Sequence, residues 1–216
     1  GTYFSQLLLL LLEAVRGTGI EEGGRRGQLR EAALLALSAM VARQGERFGD
    51  FAEVVFAAML DCCGEDSNER LCSIAEINLS RLCQQLKPER CFMVLLPYLE
   101  ESKVSESIRC SALKTLCVLL SRLPSPFIVQ QMDTIMPHLH SAFNSRCSGT
   151  RKAVVYCLVA AYRGVGDALF PRLEAQGLSA AQRKLVTLYV HKDRSTAGAA
   201  RGGEEEVAAA RRRQGR

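Results

Sequence analysis

The chain has 216 residues, of which 48% are hydrophobic and 24% are charged, and it contains no Trp. This is the composition of an ordinary folded protein, which excludes wholesale disorder. The leucine run Leu7 to Leu12 is far shorter than the roughly 20 apolar residues of a membrane helix, so we predict no transmembrane segment. Because the chain opens on Gly1 rather than Met, we expect it to be part of a longer sequence.

The net charge of +5 is concentrated at the C-terminal end. Residues 192–216 contain seven basic and four acidic side chains, a net charge of +3, which leaves +2 for residues 1–191. A nearly balanced body argues against a dedicated nucleic-acid surface, where a basic face is expected, so we predict no specific nucleic-acid partner. The Arg-rich end has two interpretations: nonspecific charge contacts with acidic protein tails, anionic lipid or nucleic acid, or a purely solubilising role.

Apolar residues recur with helical periodicity along the chain, and strand signals are nearly absent, so we predict an all-α protein. In one segment the predicted buried face consists of Leu29, Ala32, Ala33, Ala36, Leu37, Met40 and Val41. Periodicity, prolines at helix starts and glycines at helix ends predict helices at about 2–16, 28–44, 50–63, 67–85, 88–101, 105–122, 125–143, 149–163, 166–176 and 179–191. The short connections predict antiparallel packing of successive helices.

Two sequence marks recur at intervals of about 40 residues. Pro97, Pro137 and Pro171 each follow two apolar residues and precede, two positions later, a Leu. A second mark, at the start of the following helix, recurs at Arg30, Ser73, Arg109 and Arg151. A period near 40 residues predicts a HEAT-type α-solenoid of about five antiparallel helix pairs, in which the prolines kink the first helix of a pair.

The composition changes after His191, where Ala, Gly, Glu and Arg become dominant. We therefore predict two parts, a HEAT-repeat domain at residues 1–191 and a flexible tail at residues 192–216.

The nine cysteines are an odd number, show no C-x-x-C spacing and fall mostly in apolar helical stretches. We interpret them as free thiols, most of them buried, which favours a reducing cellular compartment. His138 and His140 point in different directions on a helix and, with Cys147, lack a fourth ligand, so no metal site is predicted. Without a phosphate-binding Gly-rich loop or a nucleophile–base grouping, we expect neither enzymatic activity nor a cofactor.

Several segments of the chain occur together in one protein family. They are Tyr3-Phe4-Ser5-Gln6 with the leucine run and Glu13, Glu46-Arg47-Phe48, Pro88-Glu89-Arg90-Cys91 before Leu96-Pro97, Arg151 to Ala160, Gly166-Asp167-Ala168-Leu169, and Lys184 to Val190. Over residues 2–191 the chain resembles the C-terminal helical domain of the CLASP family, the cytoplasmic linker-associated proteins. The block Arg151 to Ala160 is fairly specific, whereas the leucine run is not.

The resemblance implies a TOG-like HEAT array that acts as a non-catalytic adaptor in the regulation of microtubule plus ends. The implied partners are cytoplasmic linker proteins, kinetochore kinesin, and cortical or Golgi anchoring proteins, while tubulin is engaged through other domains. The implied location is the cytoplasm and the cytoskeleton, at microtubules, the mitotic spindle and the kinetochore.

TOG domains that hold tubulin use the turns inside their helix pairs, where a Trp and basic residues face an acidic surface. This chain has no Trp, and its second turn, Asp61 to Asp66, is acidic, which is the wrong sign for an acidic partner. The candidate partner- or tubulin-binding residues are Arg25, Arg26, Lys103, Arg146, Arg151 and Lys152. Arg109 and Arg151 have a second interpretation, a structural role in pairing with acidic side chains of a neighbouring repeat. Direct tubulin binding and a generic HEAT scaffold are the alternative functions.

Overall fold

A computed structural model of the chain describes residues 2–17, 25–64, 68–100 and 102–196. Within these ranges the backbone forms helices and no strand. The helices are α1 (Thr2–Arg16), α2 (Arg25–Gln44), α3 (Ala52–Cys63), α4 (Glu69–Gln85), α5 (Pro88–Leu95), α6 (Glu106–Leu120), α7 (Ser125–Phe143), α8 (Ser148–Val165), α9 (Leu169–Ala175) and α10 (180–196). Short 3₁₀ segments at Gly45–Phe51, Leu96–Leu99 and Gly166–Ala168 join or extend them.

Successive helices form pairs that stack in a row. The pairs are α1 with α2, α3 with α4, α5 with α6 and α7 with α8. The fifth pair is α9 with α10, which an ion pair between Glu174 and Arg183 joins. Their second helices pack in order, α2 on α4, α4 on α6 and α6 on α8, while α3 contacts both α1 and α5. This arrangement confirms the predicted all-α, TOG-like HEAT-type solenoid.

A continuous apolar core runs between the two layers of helices. Each pair contributes fully buried side chains to it, such as Phe48 and Phe56 at one end of the solenoid and Phe92 in the middle. The ring of Phe4 packs edge-to-face on Phe48 with 5.3 Å between centroids, which joins α1 to the segment that precedes α3. No pair could bury its apolar face alone, so the stack is the unit of stability.

Helix α2 is rotated relative to the predicted buried face. Leu29, Ala32 and Ala36 are exposed. The buried positions are Arg30, Ala33, Leu34, Leu37 and Val41. The rotation follows from Arg30, because its Nε donates a hydrogen bond to the carbonyl of Val15 at the end of α1, 2.7 Å away. Arg30, which is not part of the predicted apolar face, is therefore buried in the fold.

The repeated prolines have three different effects. Pro97 lies in the 3₁₀ segment after α5, and Pro171 lies in the first turn of α9, so the predicted helices 88–101 and 166–176 are each split in two. A proline has no N–H to donate to the carbonyl four residues earlier, which explains the change to a tighter turn at Pro97. Pro137 lies inside the continuous helix α7.

The last helix extends to residue 196, five residues past its predicted end. Asp193 accepts a hydrogen bond from Nε of Arg163 at 2.9 Å, which attaches this extension to α8. Residues 197–216 of the predicted tail lie outside the described residues, and the division at residue 191 remains a prediction.

Residues 148–175 are, by length and composition alone, long and apolar enough to cross a membrane. Half of the most apolar part of this stretch is buried within the fold, where α8 packs on α6 and α7. Such burial is typical of the core helix of a folded domain.

Candidate functional site: the turn edge and the groove between α8 and α10

The described parts of the turns inside the helix pairs lie along one edge of the solenoid, which we call the turn edge. Its described residues are 17, 64, 68, 100, 102–105, 144–147 and 176–179. Side chains connect neighbouring turns: Oγ1 of Thr150 donates to Oε1 of Glu106 at 2.6 Å, and Nε2 of Gln182 donates to Oδ1 of Asn144 at 3.0 Å. Among the described residues, hydrogen bonds therefore join the third pair to the fourth and the fourth pair to the fifth along the turn edge.

Buried arginines at the turn edge bind carbonyl groups that end the first helices of the pairs. Arg30 reaches the carbonyl of Val15, and Nε of Arg109 donates to the carbonyl of Leu99 at 3.2 Å. The last carbonyls of a helix have no partner within the helix and form the negative end of its dipole, so a guanidinium there satisfies both. The repeated arginine is therefore a helix-capping device.

Arg109 also joins two repeats. Its second terminal nitrogen donates to the carbonyl of His138 at 3.2 Å and to Oγ of Ser141 at 2.9 Å, both on α7. Arg109 thus has the predicted structural role, through hydrogen bonds to a carbonyl of its own pair and to polar atoms of the next pair. At the equivalent position of the second pair, Ser73 is exposed and has no guanidinium to do the same.

Arg151 uses the same chemistry on the turn before α8. Its guanidinium donates to the carbonyls of Ser145 and Arg146 at 2.7 and 2.9 Å. These described bonds go to the backbone of its own pair, which corrects the predicted pairing with acidic side chains of a neighbouring repeat. The carbonyls of the turn lie one helical turn from Arg151, within reach of its guanidinium.

The other predicted site residues have unequal surroundings. Lys103 is on the third turn, where its Nζ lies 2.6 Å from Oε2 of Glu100. Arg146 is exposed on the fourth turn, whereas Lys152 is exposed on helix α8, outside that turn. The fold thus brings Arg146, Arg151 and Lys152 together.

Two of the predicted site residues cannot be placed in the same detail. Arg25 and Arg26 begin α2, and their side chains lie outside the described residues. The acidic residues Glu65 and Asp66 of the second turn also lie outside them.

An apolar groove with a volume of about 220 Å³ lies between α8 and α10, next to these basic residues, and we call it the α8–α10 groove. Its lining consists of Phe143, Arg151, Lys152, Val155, Tyr156, Leu185 and Tyr189. The rings of Tyr156 and Tyr189 meet edge-to-face at 6.1 Å, and Nζ of Lys152 lies 5.9 Å from the centroid of Tyr156. The groove therefore combines an apolar floor with a basic rim.

Sequence reasoning missed this groove because its two sides come from different helix pairs. Tyr156 and Leu185 are 43% and 40% exposed, and a single sequence does not show that these two side chains lie next to each other. One signal was available: Leu185 and Tyr189 are four residues apart and so share one face of α10.

Two groups near the turn edge have shifted pKa values. Burial lowers the pKa of His138 below its ordinary value of 6.5, since the charged imidazolium is disfavoured there. Cys147 is exposed at the start of α8, and a hydrogen bond from the backbone N–H of Thr150 lowers the pKa of its thiol.

Potential metal ligands cluster at a place that the sequence analysis, which predicted no metal site, did not consider. Among the described residues, no group that could hold a metal ion includes His138, His140 or Cys147. The ligand atoms of Cys63, Cys72 and Glu76, by contrast, all lie within 4.8 Å of one another.

Comparison with known proteins gives close to full coverage of the chain. No model of a known protein family matches it. It is 30% identical over 190 residues to the CLIP-associated protein of Arabidopsis thaliana and 31% identical over 194 residues to CLIP-associating protein 1-B of Xenopus laevis. These alignments cover 88% and 90% of the chain.

The chain belongs to the CLASP family. Protein CLASP-2 of Caenorhabditis elegans, 27% identical over 77% of the chain, is a more distant relative. This CLASP-family chain spans 12% of the length of the Arabidopsis and Xenopus relatives and 16% of the nematode protein. The resemblance read from the sequence is confirmed at the level of the family.

Proposed function

We propose that the chain is a non-catalytic interaction module of a CLASP-like, microtubule-associated protein, and that it recruits partner proteins for the regulation of microtubule plus ends. The similarity to proteins named CLIP-associating over about nine-tenths of the chain supports this proposal. The solenoid fold supports it too, because stacked helix pairs provide extended surfaces for other proteins. The partners would be cytoplasmic linker proteins, kinesin or anchoring proteins, at microtubules, the spindle and the kinetochore.

The observation that carries the proposal is the α8–α10 groove. Exposed apolar patches such as the one that Tyr156 and Leu185 form mark sites where proteins bind partners, and aromatic residues such as Tyr156 are enriched there. The adjacent cations, exposed Lys152 above all, favour a partner segment with an acidic residue beside an apolar anchor. Such an anchor, buried in a small pocket, would supply most of the binding energy.

Direct tubulin binding by the turn edge is the second candidate. Arg146 and Lys152 favour it, because both are exposed and basic. Two other predicted site residues favour it less: Lys103 faces the carboxylate of Glu100, and Arg151 donates to turn carbonyls. We therefore propose that tubulin is engaged mainly through other domains of the full-length protein.

The proposal can be tested with a matched pair of charge-introducing variants on α10. Leu185→Glu places a carboxylate in the groove, whereas Leu188→Glu places one at a more exposed position, 59% exposed, that does not line it. Each variant is mixed with a cytoplasmic linker protein fragment and, separately, with tubulin, and co-elution is measured by size-exclusion chromatography. A double variant, Lys103→Glu with Arg146→Glu, tests the turn edge in the same way.

We expect the linker protein to co-elute with the wild type and the Leu188→Glu variant but not with Leu185→Glu, and tubulin to elute separately. Co-elution with tubulin that is lost in the Lys103→Glu, Arg146→Glu variant would replace the adaptor proposal by the second candidate. Binding of neither protein by the wild type would favour a generic HEAT scaffold.

A further inference from the structure

Three potential metal ligands from two helices converge beside the turn edge. Cys63 ends α3, whereas Cys72 and Glu76 are four residues apart on α4 and therefore share one face of that helix. Their sulfur and carboxylate oxygen atoms all lie within 4.8 Å of one another. A tetrahedral Zn²⁺ ion with Zn–S bonds of 2.3 Å holds its ligand atoms about 3.8 Å apart, so a contraction of roughly 1 Å would complete the arrangement.

Neighbouring side chains already orient the carboxylate. Oγ of Ser111 donates to Oε1 of Glu76 at 2.7 Å and lies 4.0 Å from Sγ of Cys72. Nζ of Lys114 lies 2.7 Å from the same carboxylate oxygen. Such outer hydrogen bonds fix the orientation of metal-ligating carboxylates. The cluster therefore has the second layer of contacts that a metal site needs.

The cluster opens to solvent through a groove of about 400 Å³ between α4 and α6. Cys63 itself is buried, while Cys72 and Glu76 are half-buried at the groove wall. An ion can thus enter from the groove, and a water molecule there can take the fourth position, as in zinc sites with three protein ligands.

We propose that Cys63, Cys72 and Glu76 form a binding site for one thiolate-preferring divalent cation of the Zn²⁺ class. Binding releases the two thiol protons to solvent, so that two thiolates and one carboxylate surround the ion. Their summed charge with the ion is −1, and the ammonium group of Lys114 beside Glu76 balances it. The ion would fasten the end of α3 to α4, next to the start of α6.

Co²⁺ is a suitable probe, because thiolate ligation produces charge-transfer absorption and a tetrahedral site gives strong visible bands. The reduced wild-type chain is titrated with Co²⁺ under argon, and Zn²⁺ is then added to displace it. The variants Cys72→Ser and Glu76→Gln each remove one ligand. The matched control is Cys110→Ser, which removes a half-buried thiol of the same groove that lies outside the cluster. Far-UV circular dichroism checks that each variant is folded.

We expect one equivalent of Co²⁺ to bind to the wild type and to the Cys110→Ser variant with thiolate charge-transfer absorption, which Zn²⁺ then abolishes. Loss of Glu76 should keep this absorption but weaken binding by at least about tenfold, since changes to outer contacts alone cost about 10- to 100-fold. Loss of Cys72 should remove it. The proposal would be overturned if the wild type lacked the absorption, if the wild type and Glu76→Gln bound Co²⁺ with equal affinity, or if Cys110→Ser lost the absorption.

Discussion

Arg109 offers the sharpest test of how the helix pairs are held together. Its side chain is 1% exposed and donates to the carbonyls of Leu99 and His138 and to Oγ of Ser141. Hydrogen bonds to a charged group contribute about 1.5–3 kcal/mol each, so three of them set an upper limit of about 5–9 kcal/mol. Arg109→Met keeps an unbranched apolar stem but leaves these acceptors without the donor.

The same substitution removes the cost of burying a guanidinium, which amounts to several kcal/mol. We therefore expect Arg109→Met to lower the free energy of unfolding by about 2–4 kcal/mol, since burial cost offsets part of the lost bonding. For a chain of this size that corresponds to a fall in Tm of at least about 4 °C.

The free energy of unfolding is measured by urea titration, followed by far-UV circular dichroism and linear extrapolation. Arg146→Met is the matched control: this arginine is exposed, so its loss should change stability by less than about 0.5 kcal/mol. If Arg109→Met were as stable as the control variant, the capping role of the repeated arginine would be refuted.

Four further predictions concern single positions. Gly166 has φ 62° and ψ −148°, a region that glycine alone adopts readily, so Gly166→Ala should cost about 1–3 kcal/mol. Gly27→Ala in α2 should stabilise the chain by up to about 1 kcal/mol. Thermal denaturation would contradict this contrast between the two glycines if both variants had a lower Tm than the wild type. Exposed Cys147 should react with iodoacetamide before the buried thiols, as read by peptide mass spectrometry; equally fast reaction of the buried Cys157 would contradict this. The pKa of His138 is lowered in the folded chain, so the unfolded chain binds the proton at higher pH and stability is lost as pH falls through 6.5. If the urea midpoint fell as steeply in His138→Gln as in the wild type between about pH 7 and pH 5, this prediction would be refuted.

The sequence was sufficient for the repeat architecture, because that depends on local patterns. Apolar periodicity and two marks spaced by about 40 residues predicted helix pairs, and the fold has them in that order. The face of α2 could not be read in the same way. Arg30 is polar by composition, and only its bond to the carbonyl of Val15 in another helix turns it inward.

The candidate sites depend on contacts between helices, which periodicity does not report. Tyr156 and Leu185 line one groove although 29 residues separate them, and Cys63 meets Cys72 only because α3 and α4 pack antiparallel. A search for C-x-x-C spacing overlooks ligands that two helices supply. The sequence alone does not show that α10 packs against α8.

Amide hydrogen exchange of the chain with and without a cytoplasmic linker protein fragment tests most directly whether the last helix pairs form the partner-binding surface. We predict slower exchange on binding in the first half of α8 and in α10 around Leu185 and Tyr189, with α1 and α3 unchanged. Protection confined to the turn edge of the first three pairs, or no protection at saturating fragment, would contradict it.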